Sequence, residues 1–179
     1  RRQAAEGLAG TGLGIGFGSG HRLAYYPPEV TRVLAVEPAQ RARELAAPRV
    51  AAAAVPVEYA GLDGQQLALD DASCDGALCT FTLCTIPDPA RALAELYRVV
   101  RPGGVFHFLE HGLAEDAGVQ RWQHRIEPLQ KRLFDGCHLT RRPTELVEVA
   151  GFVVEHGDSR FAPGPKPWSW FTVVRARRP

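Results

Sequence analysis

Residues Gly12 to His21 read GLGIGFGSGH, with glycine at every second position from Gly12 to Gly20. A strand pattern runs through Leu13, Ile15 and Phe17, and a helix pattern begins near Ser19. A glycine turn between strand and helix aims backbone N–H groups, and the positive end of the helix, at a ligand. Glu37 closes the next apolar run, RVLAVEP. An acid at that place reads as a partner for ribose hydroxyls and disfavours a 2′-phosphate. The chemistry on offer is therefore the binding of a nucleoside-bearing cofactor.

Two glycine-loop chemistries fit poorly. No GK[ST] follows, as a Walker-type phosphate loop needs. The dinucleotide spacing G-x-G-x-x-G fails as well: it puts His21 third after Gly16 and Gly18, and Ser19 third after Gly14 and Gly16. The spacing present is Gly16, Gly18, Gly20.

The elements that must position this loop alternate along the chain. Strands are expected over Thr11–Phe17, Arg32–Pro38, Val55–Asp63, Cys74–Leu83 and Val105–Gly112. Helices are expected over Ser19–Tyr25, over Ala39–Ala47 with a stop near Pro48, and over the run beginning at Asp88. Asp88 suits an N-cap and Pro89 the first helical position, with Pro102-Gly103-Gly104 closing the helix. Val119, Trp122, Ile126, Leu129 and Leu133 then form one apolar helical stripe, expected to pack on the sheet or else to line an apolar acceptor pocket, with a break or kink at Pro128. A short helix before Gly151 and two final strands, an antiparallel edge hairpin, complete the chain. The βαβα rhythm predicts an α/β, Rossmann-like three-layer sandwich with a mostly parallel seven-stranded sheet. The 179 residues suit a single domain spanning 1–179. RRQAAEGLAG reads as the end of a helix, and with no methionine present an N-terminal helix or helices are expected upstream.

Composition narrows the partners. A net charge of +1 gives no general pull toward nucleic acid. The basic tail VVRARRP is expected to be solvated. Cys74, Cys79, Cys84 and Cys137 form no CxxC pair and no zinc spacing, so no metal is expected. Reduced thiols and the lack of a signal peptide or apolar span point to a cytoplasmic protein without a membrane segment in this chain.

The ordered motifs LGIGFGSGH, VLAVEP, GLDGQQL and CDGALCTFTLCTIPDPARALAELYRVVRPGG resemble those of class I S-adenosylmethionine-dependent methyltransferases. GSGHRLAYYPP, LEHG and GCHLT further resemble a branch of the ubiquinone-biosynthesis-type (type 11) enzymes that includes alkyl-thiol methyltransferases. The resemblance implies S-adenosyl-L-methionine as cofactor. It places Gly16, Phe17, Gly18, Ser19 and Gly20 beneath the cofactor, Glu37 on the ribose diol, and Asp63 and Gly64 at the adenine edge. It sets Thr80 and Phe81 against the methionine part, with Leu83 nearby. It implies in-line methyl transfer to a small, hydrophobic thiol, hydroxyl or carbon acceptor.

One residue departs from the pattern. Gly14 stands where the family carries an acid that helps hold the cofactor's ammonium group. Losing such a charge-assisted bond costs roughly 1.5–3 kcal/mol, so restoring an acid is expected to tighten binding. The departure keeps a second reading open, a degenerate cofactor-binding protein with little activity; a nicotinamide-dependent oxidoreductase is the third. Gly12 and Gly14 also leave alternate positions of the first strand bare. If the acceptor needs a base, His111 in LEHG and His138 in GCHLT are the candidates, with His107 read as core or surface. Trp168, Trp170 and Phe171 are read as core packing or as walls of an acceptor pocket.

Overall fold

The computed structural model describes residues 2–179. Seven strands form one sheet: β1 Gly10–Ile15, β2 Val30–Val36, β3 Val57–Gly61, β4 Cys74–Thr80, β5 Val100–His111, β6 Val153–Phe161 and β7 Trp170–Arg177. Their order is β3-β2-β1-β4-β5-β7-β6. The first five run parallel, and β7 pairs antiparallel with both β5 and β6. The expected mostly parallel sheet with an antiparallel C-terminal edge is therefore the one present. The helices are α1 Arg2–Ala5, α2 Gln40–Ala51, α3 Pro89–Val99, α4 Ala117–Leu133, α5 Pro143–Val149 and α6 Lys166–Ser169.

Both faces of the sheet are covered because successive side chains point to opposite sides. Leu34 and Val36 face a core built with Leu93 and Leu96 of α3, Val147 of α5, Phe106 and Phe108. Val33 and Ala35 face the opposite core, with Ala4 and Ala5 of α1, Ala46 of α2 and Phe17. Asp88 caps α3 as expected, accepting from the Arg91 N–H at 3.0 Å, with Pro89 in the first turn.

Several expectations are corrected. The segment after the glycine turn is only a short 3₁₀ helix, His21–Tyr25, because Pro27 and Pro28 cannot extend it. Pro48 does not stop α2, which runs one more turn to Ala51. Arg49 Nη1 helps there, donating to the Leu45 carbonyl at 3.1 Å. α3 ends at Val99, and Pro102-Gly103-Gly104 lie within β5. The basic tail is fastened rather than simply solvated. Arg178 N donates to Gly104 O, Arg178 Nη1 to Val100 O, and Arg177 Nη1 to Gly103 O.

The largest correction concerns α4. Pro128 lies inside it without ending it. Of the apolar stripe only Val119 is buried; Trp122, Leu129 and Leu133 are 56%, 60% and 63% exposed. The helix turns its glutamines inward instead. Gln123 Nε2 donates to the Gly112 and Pro167 carbonyls and Gln123 Oε1 accepts from Ala114 N, while Gln130 Oε1 accepts from Trp168 Nε1. These bonds satisfy loop and α6 groups that would otherwise be buried unpaired, and they fix the rotation of α4. Trp168 belongs to α6, not to a strand.

His107 is core: it is buried in β5 with Nδ1 3.1 Å from the Ala4 carbonyl. Burial, with Arg175 nearby, lowers its pKa to about 4. The unfolded chain therefore binds the proton more tightly, and stability falls as pH drops from about 6.5 toward 4. Urea unfolding across that window should show the decline, up to about 3 kcal/mol from this residue. His107→Gln should flatten it.

Candidate functional site

The carboxyl ends of β1, β2 and β4 open onto one cavity of about 800 Å³, a size within the range of small-molecule sites. Its wall includes Gly16, Phe17, Gly18, Ser19, Glu37, Asp63, Gly64, Thr80 and Phe81, all expected from the sequence. Gly20 does not line it. That residue turns the chain against α2, with φ 77° and an added Cβ only 3.4 Å from Ala46.

The glycine turn is built by contact as well as conformation. Gly16 and Gly18 hold φ of 60° and 61°, in the left-handed region where side chains are strained. A Cβ on Gly16 would lie 1.9 Å from Thr82 Oγ1, so only glycine lets the turn pass. Glu37 ties this turn to the end of β2. Its Oε2 accepts from Gly18 N at 2.7 Å and Oε1 from Ala39 N at 2.9 Å. The acid is 6% exposed, a wall of the cavity rather than a solvated strand end. Across the cavity, Asp63 Oδ1 accepts from Gln65 N and Nε2. Those bonds, with Arg91 nearby, hold its carboxyl below the usual range.

The β4 exit depends on a residue the sequence reading passed over. Glu110 is fully buried at the end of β5. Its carboxylate accepts from Thr82 N at 2.7 Å, Leu83 N at 3.0 Å and Cys84 N at 3.2 Å, and from Cys79 Sγ at 3.3 Å. Burial raises its pKa, and the backbone donors oppose the rise. This clamp holds Phe81 at φ 56°, a conformation that persists only where surroundings impose it. Phe81 N donates to Leu109 O, and its ring packs on His111 and Phe171.

The space beside Gly14 is filled by Arg22 of the 3₁₀ helix and by Tyr26, the residue just after it. A Cβ there would meet Tyr26 Oη at 3.3 Å and Arg22 Nη1 at 3.7 Å. Tyr26 also covers Gly12, so the bare face of β1 is covered from outside the strand. Arg22 is 4% exposed and lines the cavity. Its guanidinium donates to the carbonyls of Ile15, Gly16 and Leu78, and no carboxylate pairs with it among the described residues. An acid is thus missing where one is expected, and a buried cation stands next to the gap.

Neither candidate histidine lines the cavity. His111 lies between Phe81 and Phe171, and burial lowers its pKa. Its Nδ1 is buried without a hydrogen-bond partner. His138 sits in the loop after α4, with Nδ1 2.9 Å from Glu127 Oε1. Glu127 also accepts from Leu139 N, Thr140 N and Thr140 Oγ1, so it organises that loop. Leu83 is core. All four cysteines are free and buried. Besides Arg22, the wall gains His21, Gln65, Thr82, Thr85, Ile86 and Asp135. Gln65 was visible in GLDGQQL; Asp135, from the distant loop after α4, carried no local signal. No cluster able to hold a metal occurs among the described residues.

The sequence matches the methyltransferase domain family over residues 13–108. It is 34% identical to thiol S-methyltransferase TMT1B of Rattus norvegicus over 90% of this chain and 66% of that protein. It is 36% identical to thiol S-methyltransferase TMT1A of Homo sapiens over 78% of this chain and 59% of that protein. The chain thus spans less than two-thirds of these relatives' length. The fold also matches an S-adenosylmethionine-dependent methyltransferase from Mesorhizobium loti at TM-score 0.74 and 19% identity, covering 99% of this chain and 95% of that one.

Glu110→Ala would strand three buried backbone N–H groups at the β4 exit. Urea unfolding should show a loss of about 3 kcal/mol or more. Glu110→Gln, which keeps one acceptor oxygen, should lose less.

Proposed function

Because the chain belongs to the class I S-adenosylmethionine-dependent methyltransferases, we propose that it methylates a small, hydrophobic thiol with S-adenosylmethionine as donor. The observation that carries this reading is the carboxylate of Glu37, buried in the cavity wall and fixed by Gly18 N and Ala39 N. A carboxylate so fixed keeps lone pairs for a ribose diol. The thiol class rests on the names of the relatives, and the cofactor on the family.

The residues present fit that cofactor. Gly16 and Gly18 admit close backbone approach, Asp63 and Gln65 offer polar atoms at the adenine end, and Phe81 and Thr82 flank the other end. When bound, the cofactor supplies an electrophilic sulfonium methyl group open to in-line attack. The protein's part is to hold two reactants in line and exclude water. A thiol titrating at about 8.5 is a few per cent thiolate at pH 7 and can give its proton to solvent before transfer. Neither His111 nor His138 lines the cavity, so they are given no proton-transfer role. Free thiols in the core fit a reducing compartment, and a cytoplasmic location is part of this proposal.

Arg22 supports activity despite Gly14. An amino-acid end carries a carboxylate beside its ammonium, and Arg22 offers that carboxylate a positive charge in a low-dielectric wall. The site's polarity at this end is thus reversed rather than lost. Arg22→Gln should weaken S-adenosylmethionine binding by about 10- to 100-fold in calorimetry. Gly14→Glu, which sets an acid against Arg22, should weaken binding rather than tighten it. Tightening would show that the ammonium, not the carboxylate, is the group held here.

The function itself is tested by incubating the chain with labelled S-adenosylmethionine and a panel of thiols, phenols, quinols and fatty acids. Label should appear on thiols first. Heat of binding without transfer to any acceptor would favour a degenerate binder, and no binding at millimolar cofactor would remove both readings.

A further inference from the structure

The exposed face of α4 has no partner within the described residues. Trp122, Ile126, Leu129 and Leu133 recur at spacings of four, three and four, one stripe along the helix. Trp122, Leu129, Leu133 and the following Phe134 are exposed and Ile126 is half-buried. Beside the stripe lie Arg121, Arg125 and Arg132, all exposed, with Arg125 over the Trp122 ring at 5.7 Å. Glu127 is the one acid within α4, and it is turned onto the loop at His138–Thr140. The solvent face of this helix is therefore apolar and cationic. The glutamine bonds hold it in that rotation, so exposure is a fixed property of the fold.

We propose that this face docks on an anionic lipid bilayer. A helix lying in a membrane interface needs an apolar stripe carrying Trp and Leu, flanked by arginines whose stems lie along it while their heads reach phosphate. α4 supplies both parts, and negative lipid headgroups complement its charge. A second copy of the chain is a poorer occupant. Antiparallel pairing of two α4 stripes sets Arg121 and Arg125 of one copy against Arg132 of the other. Docking would also bring Phe134 and Asp135, at the end of α4, to the membrane, and Asp135 is part of the cavity wall. An apolar acceptor dissolved in the bilayer would then reach the cavity along the surface.

The test uses the 179-residue chain and sucrose-loaded vesicles of phosphatidylcholine, alone or mixed with phosphatidylserine. Sedimented protein should rise about tenfold or more on the mixed vesicles, and fall as salt is added. A Trp122→Ser/Leu129→Ser/Leu133→Ser variant should lose that binding by a similar factor. Its unfolding temperature should stay the same, because these side chains are solvated in the fold. Arg121→Gln/Arg125→Gln/Arg132→Gln should lose the preference for phosphatidylserine. The proposal is overturned by absence of vesicle binding, by binding that the apolar variant retains, or by equal binding to both vesicle types. It is also overturned if the chain dimerises in sedimentation and the apolar variant alone is monomeric. These readouts involve no methyl transfer, so they stand apart from the activity assay.

Discussion

One buried carboxylate sets the geometry of the site. Glu110, at the end of β5, gathers the backbone N–H groups of Thr82, Leu83 and Cys84 as β4 leaves the sheet. Those donors would otherwise be buried and unmet, and the carboxylate would be a buried charge without compensation. Each needs the other, so the turn has a single arrangement. Phe81 is held in its left-handed conformation, Thr82 is pressed against Gly16, and the far side of the cavity follows. Glu37 does for the glycine turn what Glu110 does for the β4 exit. The two acids brace opposite walls of one cavity.

Arg22 joins these walls. Its three carbonyl partners belong to β1, the glycine turn and β4. A guanidinium buried among carbonyls carries uncompensated charge, and the nearest open space is the cavity it lines. Gly14 and the buried cation of Arg22 thus belong to one local arrangement. Read one at a time, Gly14 looks like damage. Seen together with Tyr26 and Arg22, the position is filled.

What was legible in the sequence was what local pattern encodes. Alternating apolar runs and the Asp88-Pro89 helix start located the sheet and its helices, while the Gly16-Gly18 and Glu37 spacing located the cavity. What escaped depends on distance. Glu110 looks like a strand residue until its partners, some 26 to 28 positions earlier, are brought to it. Asp135 reaches the wall because the loop after α4 is drawn to the β4 exit, where Cys84 O accepts from His138 N at 2.7 Å and Arg141 Nη1 donates to Leu83 O and Ile86 O. The α4 stripe misled for a related reason. Periodicity identifies an apolar face but not its direction, and two glutamines with fixed partners outweighed the stripe in setting the helix's rotation.

Tyr26 bears on how the first strand is held in the sheet. β1 is an interior strand between β2 and β4, yet at Gly12 and Gly14 it brings no side chain to one of its faces. It cannot collapse onto that core by itself. Its grip comes from a tyrosine beyond the glycine turn, from Asp75 Oδ2, which accepts from Thr11 N, and from strands on either side. The Asp75 contact closes a loop of 64 residues, and loop closure must precede the reward of contacts so distant in sequence. The place of β1 in the sheet therefore depends on the same long-range contacts that shape the cavity, and not on apolar side chains of its own on that face.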